Sequence, residues 1–109
     1  MSEFTIQKFI TAANNYDTQK IMALFVADAV IDDVSVGEKF DGHADIKKYF
    51  ETFFIGYHTK TELLSLEVLA SDNILAKVDF TGDFGHETGG LDIRFNAAGL
   101  ITHIAAFLN

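Results

Sequence analysis

Residues 73–84 alternate between apolar and polar side chains, and this pattern constrains the fold more than any other feature of the sequence. Successive side chains of a β-strand point to opposite faces, so the segment is predicted to be a strand with one buried and one polar face. The apolar side carries Ile74, Ala76, Val78, Phe80 and Phe84, and the polar side carries Lys77, Asp79, Thr81 and Asp83.

The rest of the C-terminal half also has strand character. Two short polar segments, "GHETGG" (85–90) and "NAAG" (96–99), are predicted turns because their glycines favour reversal of the chain. The predicted strands flanking residues 73–84 are 57–70, 91–95 and 100–108. This half is therefore predicted to be an antiparallel meander.

The N-terminal half has the periodicity of helices. The first predicted helix has an apolar stripe with the spacing i, i+3, i+4, i+7, and a second is predicted to begin after Asp17, an N-cap residue. A strand is predicted at 29–34, a loop at 35–42, and a third helix capped by Asp41 or Gly42 and ending at Gly56. The apolar stripes of the three helices are Ile6, Phe9, Ile10 and Ala13, then Ile21, Leu24 and Phe25, then Ile46, Tyr49, Phe50, Phe53 and Phe54. Helices followed by antiparallel strands predict an α+β fold.

Composition excludes several classes of function. The 109 residues, 49% hydrophobic with eleven Phe, predict one domain with a dense core or an apolar cavity. A net charge of −8 with one arginine, Arg94, argues against binding to nucleic acid and to anionic membranes. Cysteine is absent, which excludes disulfides and thiolate metal sites. No signal peptide or apolar stretch of about 20 residues is visible, so a soluble cytoplasmic protein is expected.

The predicted final strand is apolar on both faces. Leu100, Ile104, Ala106 and Leu108 lie on one side, and Ile101, Ala105 and Phe107 lie on the other. The strand could be central and covered on both sides, or its outer face could pack against a second subunit. We favour a homodimer through the outer sheet face, because one small helical layer covers only one face.

Two adjacent carboxylates end the predicted strand in "FVADAVIDD" (25–33). Ala29, Ile31 and Asp33 share one face of the strand, and Val30 and Asp32 share the other. Asp32 is interpreted as a solvated strand residue. Asp33 is the candidate reactive group, or simply a polar strand end.

The stretches "ALFVADAVIDD" (23–33), "GHADIKKYF" (42–50) and "DIRFNAAGLI" (92–101) together resemble the nuclear transport factor 2-like superfamily, in its SnoaL-like and ketosteroid-isomerase-like branch. The resemblance covers nearly the whole chain, 1–109, as a single SnoaL-like domain. It implies three helices packed in a cone on a strongly curved, mostly antiparallel sheet around an apolar pocket. It also agrees with a homodimer, since many members dimerise through the outer sheet face.

The resemblance implies that Asp33 is a proton-shuttling base, since isomerases of this branch place their catalytic aspartate at the matching strand end. An apolar cavity removes water from a carboxylate, which favours its neutral form and brings such a base closer to operating pH. The other two catalytic positions of the isomerases are Phe9 and Leu91 here, and neither side chain can donate a hydrogen bond. Each such donor is typically worth a factor of about 10²–10³ in rate, so steroid isomerisation is not expected.

Tyr49 is the best replacement donor, because the matching helix position faces the pocket in the isomerases; it could instead be one more aromatic core residue. His58 begins the long predicted strand near the mouth of such a cone, but a slip of one residue would place it outside. The expected pocket wall comprises Phe9, Phe50, Phe53, His58, Phe80, Leu91, Ile104 and Ala106.

Two functions follow from these residues. The first is a small enzyme that transfers a proton on a hydrophobic carbonyl compound, by isomerisation, aldol-type ring closure or dehydration, with Asp33 as general base and Tyr49 as donor. The second is a binding or accessory domain for a small apolar ligand without turnover. The four histidines show no metal-ligand spacing, no phosphate-binding loop or nucleophile motif is present, and no metal or cofactor is expected.

Overall fold

Three helices and six strands make up residues 2–109, which the computed structural model describes. In chain order the elements are α1 (Ser2–Asn14), α2 (Thr18–Met22), β1 (Phe25–Asp33), β2 (Glu38–Asp41), α3 (Gly42–Phe50), a π-helical segment (Glu51–Ile55), β3 (Lys60–Ala70), β4 (Asn73–Gly82), β5 (Gly85–Phe95) and β6 (Ile101–Leu108). The helices pack on one face of a curved, mostly antiparallel sheet, which confirms the predicted α+β class. None of these helices could span a bilayer.

The sheet has the strand order β2-β1-β6-β5-β4-β3. Neighbouring strands are antiparallel except β1 and β6, which run parallel, with Asp33 beside Ala106 and Ile31 beside Ile104. The parallel pair joins the first strand of the chain to the last. It also places the end of β1, and so Asp33, against the centre of the sheet.

The core lies between the helices and the inner sheet face. Phe9, Phe25 and Phe50 meet there, each at most 3% exposed, with ring centroids 5.7–6.3 Å apart. Edge-to-face contacts of this kind add to the hydrophobic stabilisation of a core. This cluster ties α1, the start of β1 and α3 together and closes one end of the space between the layers.

The predicted boundary between the second helix and the first strand was wrong. Asp17 caps α2 as predicted, accepting a hydrogen bond from Lys20 N at 3.1 Å, but α2 ends at Met22 and β1 begins at Phe25 rather than at residue 29. The backbone N–H of Ile101 donates to the carbonyl of Leu24 at 2.8 Å. Leu24 and Phe25 are therefore not helical, although their spacing suggests a helix, because they pair with β6.

Two segments predicted as irregular carry strand structure. The predicted loop 35–42 contains β2, which folds back onto β1 through a tight turn in which Gly37 has φ 72°. The predicted turn 85–90 is the first half of β5, and the chain reverses instead between Gly82 and Gly85. The adjacent Gly89 and Gly90 are strand residues that the antiparallel neighbour β6 approaches closely: a Cβ on Gly89 would lie 2.2 Å from the carbonyl oxygen of Phe107.

The third helix, predicted as one element up to Gly56, widens at Glu51 into the π-helical segment. The N–H of Gly56 donates to the Glu51 carbonyl at 2.9 Å, and the N–H of Thr59 donates to the Phe54 carbonyl at 2.8 Å, both bonds spanning five residues. A wider turn brings side chains four and five positions apart to the same side. This geometry directs a run of aromatic rings toward one end of the sheet.

Candidate functional site

A cavity of about 410 Å³ lies between the π-helical segment, the turn after β1 and the inner face of the sheet. Half of its lining residues are aromatic. Five of the lining rings are those of Phe53, Phe54, Tyr57, Phe80 and Phe84, and the polar side chains in the lining are Asp33, Ser35, Tyr49, Thr59 and Glu87. An apolar chamber with a few polar groups is the usual form of a small-molecule site.

Asp33 is a buried carboxylate with a partner on each oxygen. It is 7% exposed at the end of β1. Its Oδ1 accepts hydrogen bonds from the Ser35 backbone N–H at 2.9 Å and from the Ser35 hydroxyl at 2.6 Å, while Oδ2 accepts one from the Tyr49 hydroxyl at 2.6 Å. These donors replace the water that burial removes.

One acceptor position of this carboxylate remains open. Two carboxylate oxygens offer about four lone-pair sites, and three donors occupy them here. Because Oδ1 receives two donors and Oδ2 receives one, the vacant position is on Oδ2. Oδ2 is therefore the atom that can accept a further hydrogen bond or a proton from a molecule in the cavity.

Tyr49 stays protonated at physiological pH. Burial raises its pKa well above the ordinary value of 10.0, and the charge of Asp33 and the hydrogen bond to it raise the pKa further. Its phenol is 6% exposed and packs against the ring of Phe40, with ring centroids 4.8 Å apart. The sequence predicts a phenol that donates to a ligand, whereas in the structure its proton points to Asp33.

Two of the other lining hydroxyls also donate within the protein. The Ser35 hydroxyl donates to Asp33, and the Thr59 hydroxyl donates to the Phe53 carbonyl at 2.7 Å. Tyr57, which is 43% exposed, lies toward the mouth of the cavity. The cavity thus presents acceptors near Asp33 and has few free donors.

The predicted pocket wall divides into two groups. Phe53, Phe80 and Ala106 line the cavity together with Asp33 and Tyr49. The other apolar residues predicted there, Phe9, Phe50, Leu91 and Ile104, are at most 5% exposed and belong to the core behind the cavity. The difference arises because the Phe9–Phe25–Phe50 cluster fills one end of the space between the helices and the sheet, which was predicted to be part of the pocket.

His58 lies outside the cavity lining. It precedes β3, in a left-handed backbone conformation with φ 55°, and its Nδ1 is 2.9 Å from the Asp83 carboxylate on the exposed surface. The predicted strand 57–70 begins only at Lys60, so strand alternation does not determine where His58 points. The turn that ends the π-helical segment turns the imidazole outward.

Sequence reasoning missed Ser35, Tyr57 and Glu87. The triplet Asp33-Val34-Ser35 has the form of a turn in which an Asp side chain binds backbone and hydroxyl groups two residues later, and this signal could have identified Ser35. Glu87 is directly opposite Phe80 in the β4–β5 ladder, a relation hidden by interpreting 85–90 as a turn.

No group of three or more His, Asp or Glu side chains within residues 2–109 is arranged to hold a metal ion. His43 Nε2 lies 3.1 Å from the Phe25 carbonyl oxygen, and His86 Nε2 lies 2.6 Å from the Asp79 carboxylate. Both imidazoles thus have partners away from the cavity lining.

Solved structures with the same architecture include several proteins of low sequence identity. A cystatin-like-fold protein of unknown function from Methylobium petroleophilum PM1 is 24% identical, with 98% of this chain and 74% of that chain covered and a TM-score of 0.87. A Mycobacterium tuberculosis protein, Rv0760c, in complex with estradiol-17β-hemisuccinate is 21% identical, with 99% and 93% covered and a TM-score of 0.87. The epoxide hydrolase/cyclase-like enzyme SalBIII, which has a role in pyran ring formation in the polyether salinomycin, is 15% identical. The match covers 99% of this chain and 90% of that chain, with a TM-score of 0.87. At these identities the likeness establishes the fold.

A search of curated proteins gave no significant match to this sequence. The SnoaL-like domain model, in contrast, matches residues 6–104, from the first half of α1 to the middle of β6. The chain therefore belongs to the SnoaL-like domain family.

Proposed function

We propose that this protein binds a small apolar carbonyl compound in the cavity and transfers a proton on it, with Asp33 as general base. The observation that carries the proposal is a carboxylate only 7% exposed, held by three donors at the wall of an aromatic cavity, with one acceptor position open. A positioned base of this kind typically contributes a factor of about 10²–10⁴ to the rate of a proton transfer.

The first step would move a proton from the carbon beside the carbonyl to Asp33 Oδ2. The C–H bonding pair becomes the enolate π bond, and the carbonyl oxygen takes the negative charge. Ser35 fixes the rotation of the carboxylate by holding Oδ1 with two hydrogen bonds, which leaves Oδ2 to act as the base. Return of the proton to another carbon would complete an isomerisation.

Tyr49 gains a second role once Asp33 is protonated. The new O–H of Asp33 can donate to the phenol oxygen, which releases the phenol proton to turn toward the enolate oxygen. Its raised pKa keeps that proton on the phenol until this point. Tyr49 would then supply the donor that Phe9 and Leu91 cannot.

Deuterium exchange tests the proton transfer without knowledge of the natural substrate. A panel of apolar ketones is incubated with the protein in D₂O, and loss of the proton beside the carbonyl is followed by NMR. We expect exchange above the buffer rate for ketones that fit the cavity, and a loss of about 10²-fold or more for Asp33→Asn.

Asp32→Asn is the matched control, because Asp32 is the adjacent carboxylate on the opposite face of the same strand and is not among the cavity-lining residues. This variant should exchange ketones as the wild type does. Exchange that survives Asp33→Asn, in a variant shown by circular dichroism to be folded, would contradict the assignment of the base.

Binding without turnover is the second candidate, and one observation favours it. The hydroxyl protons of Tyr49, Ser35 and Thr59 are all donated within the protein, so none of these three lining hydroxyls is free for an enolate oxygen at the start of the reaction. Ketones that bind in the cavity by NMR but show no exchange in D₂O would support this function instead.

We also propose that the protein is a homodimer that uses its outer sheet face. Residues of the outer face, including Leu75 and Ala105, are apolar and only partly buried. Sedimentation should give the mass of a dimer for the wild type and of a monomer for Ala105→Arg. Thr11→Arg, on the exposed side of α1, is the control and should leave the dimer intact.

A further inference from the structure

The charges along the cavity indicate which class of ligand it takes. Two carboxylates, Asp33 and Glu87, are part of the lining, and no Lys, Arg or His side chain is among the lining residues. Glu87 is exposed, and no hydrogen bond or salt bridge joins its carboxylate to another residue in the described part of the chain. The two nearby histidines are paired elsewhere, His58 with Asp83 and His86 with Asp79.

The aromatic side chains adjoin both carboxylates. Tyr49 donates to Asp33, and Phe80 is directly opposite Glu87 in the ladder between β4 and β5. From Tyr49 the rings continue through Phe53 to Tyr57, with centroids 5.3 Å and 6.2 Å apart. The negative faces of aromatic rings attract cations, and water-poor walls of low dielectric constant strengthen the field of a nearby charge.

The carboxylates and the aromatic rings of the lining both favour a cationic ligand over an anionic one. A carboxylate or phosphate would bring a further negative charge into a chamber of about 410 Å³ that already holds Asp33 and is bordered by Glu87. An ammonium group would instead find ring faces and an unpaired carboxylate, while its apolar part occupies the aromatic wall.

We infer that the ligand of this cavity is an apolar molecule with one positive charge, of the aralkylamine class, whose ammonium group lies at Glu87. The inference rests on the proposed function, since it assigns the end of the ligand that does not react. The carbonyl end would lie at Asp33 and the amine end at the mouth.

Three probes of one shape and different charge test this inference. Naphthylmethylamine, naphthylmethanol and naphthoate are titrated into the full chain by calorimetry at neutral pH and low salt. We expect the amine to bind at least about tenfold more tightly than the alcohol, and the carboxylate to bind most weakly. The preference should shrink as salt is added, because ions screen a charge at the exposed mouth.

Glu87→Gln should remove most of the preference for the amine and leave the affinity for the alcohol nearly unchanged. Glu62→Gln is the matched control, because Glu62 is an exposed strand carboxylate that is not part of the cavity lining, and it should keep the preference. Equal binding of the three probes, tighter binding of naphthoate, or an unchanged preference in Glu87→Gln would overturn the inference.

The two proposals can fail separately. Absence of binding by all three probes would overturn the charge assignment, while exchange of neutral ketones in D₂O would still support proton transfer. Conversely, a preference for the amine that depends on Glu87, without any exchange, would keep the ligand class and reject catalysis by Asp33.

Discussion

Asp33 shows how one side chain can be buried and still be available to a ligand. Burial of an ionised carboxylate without partners is unfavourable, and the Ser35 and Tyr49 donors offset that cost. The same hydrogen bonds set the direction of the carboxylate, so stability and orientation of the candidate base depend on the same three donors. Changes at these donors should therefore affect the folded state even when no ligand is present.

Tyr49→Phe should lower the free energy of unfolding by about 1.5–3 kcal/mol, because Asp33 Oδ2 loses its donor while the ring packing is kept. Urea denaturation measures this change. Tyr57→Phe is the control: its phenol is 43% exposed, and the change should stay within about 0.5 kcal/mol of the wild type. Equal stability of the two variants would show that the Tyr49 bond contributes nothing.

The same phenol should make the folded state sensitive to alkaline pH. The folded protein holds the Tyr49 proton more tightly than the unfolded chain, where the pKa is near 10.0, because burial and Asp33 raise the folded pKa. The stabilisation is fully present below the unfolded pKa and is lost as pH rises through the folded pKa. Above about pH 10, unfolding free energy should therefore fall more steeply with pH in the wild type than in Tyr49→Phe. Parallel pH profiles of the two proteins would contradict this.

At the scale of elements, a strand with one apolar and one polar face was predictable from the sequence. A segment whose apolar residues fit either a helix or a strand was not. The alternation in β4 gave the facing of Ile74, Ala76 and Val78 correctly, since they are at most 2% exposed. Phe84, predicted on the same buried side, lies beyond the end of β4 and is 45% exposed. Phe25 was misassigned because an apolar residue after a helix fits either a helical stripe or a buried strand, and only pairing with Ile101 decides between them. Glu87 was missed for a related reason: Gly89 and Gly90 suggested a turn, whereas they are strand residues that the neighbouring β6 approaches closely.

The glycines of β5 provide the test at this scale. Gly89→Ala should lower the free energy of unfolding by about 1–3 kcal/mol, because the new Cβ would meet the backbone oxygen of Phe107 at 2.2 Å and two strands would have to separate. Urea denaturation measures the change.

Gly90→Ala is the matched comparison, because its new Cβ would meet the Phe107 ring rather than backbone. Adding Phe107→Leu should therefore restore the stability lost in Gly90→Ala, but not the stability lost in Gly89→Ala. Relief of both variants, or of neither, would show that the close approach of β6 is not what these glycines accommodate.

In the molecule as a whole, the helical layer and the sheet share one hydrophobic core. Buried residues from α1, α3 and the strands form a single cluster, and the cavity occupies the end that this cluster leaves unfilled. The sequence predicted an aromatic-rich core or cavity but could not divide its rings between the two. That division depends on where the helices sit on the curved sheet, as the buried Phe50 and the cavity-lining Phe53 show.

Ile104→Ala should lower the free energy of unfolding by about 2–5 kcal/mol, because Ile104 is 1% exposed at the centre of the sheet. Far-ultraviolet and near-ultraviolet circular dichroism should report the same shifted midpoint, since helices and strands share the core. Val68→Ala, at a site 58% exposed, should change stability by no more than about 0.5 kcal/mol. Separate midpoints for the two signals would show that the layers unfold independently.

The parallel pairing of β1 with β6 has a consequence for the order of events during synthesis. Asp33 emerges from the ribosome early, but its neighbour Ala106 and the strand that joins β1 to β5 emerge some seventy residues later, a separation that follows from the 33↔106 register. Without residues 101–108, the pair β1–β2 has no strand that joins it to β3, β4 and β5, and the cavity lacks Ala106, Phe107 and Leu108. The cavity wall is therefore complete only once the last strand has joined the sheet.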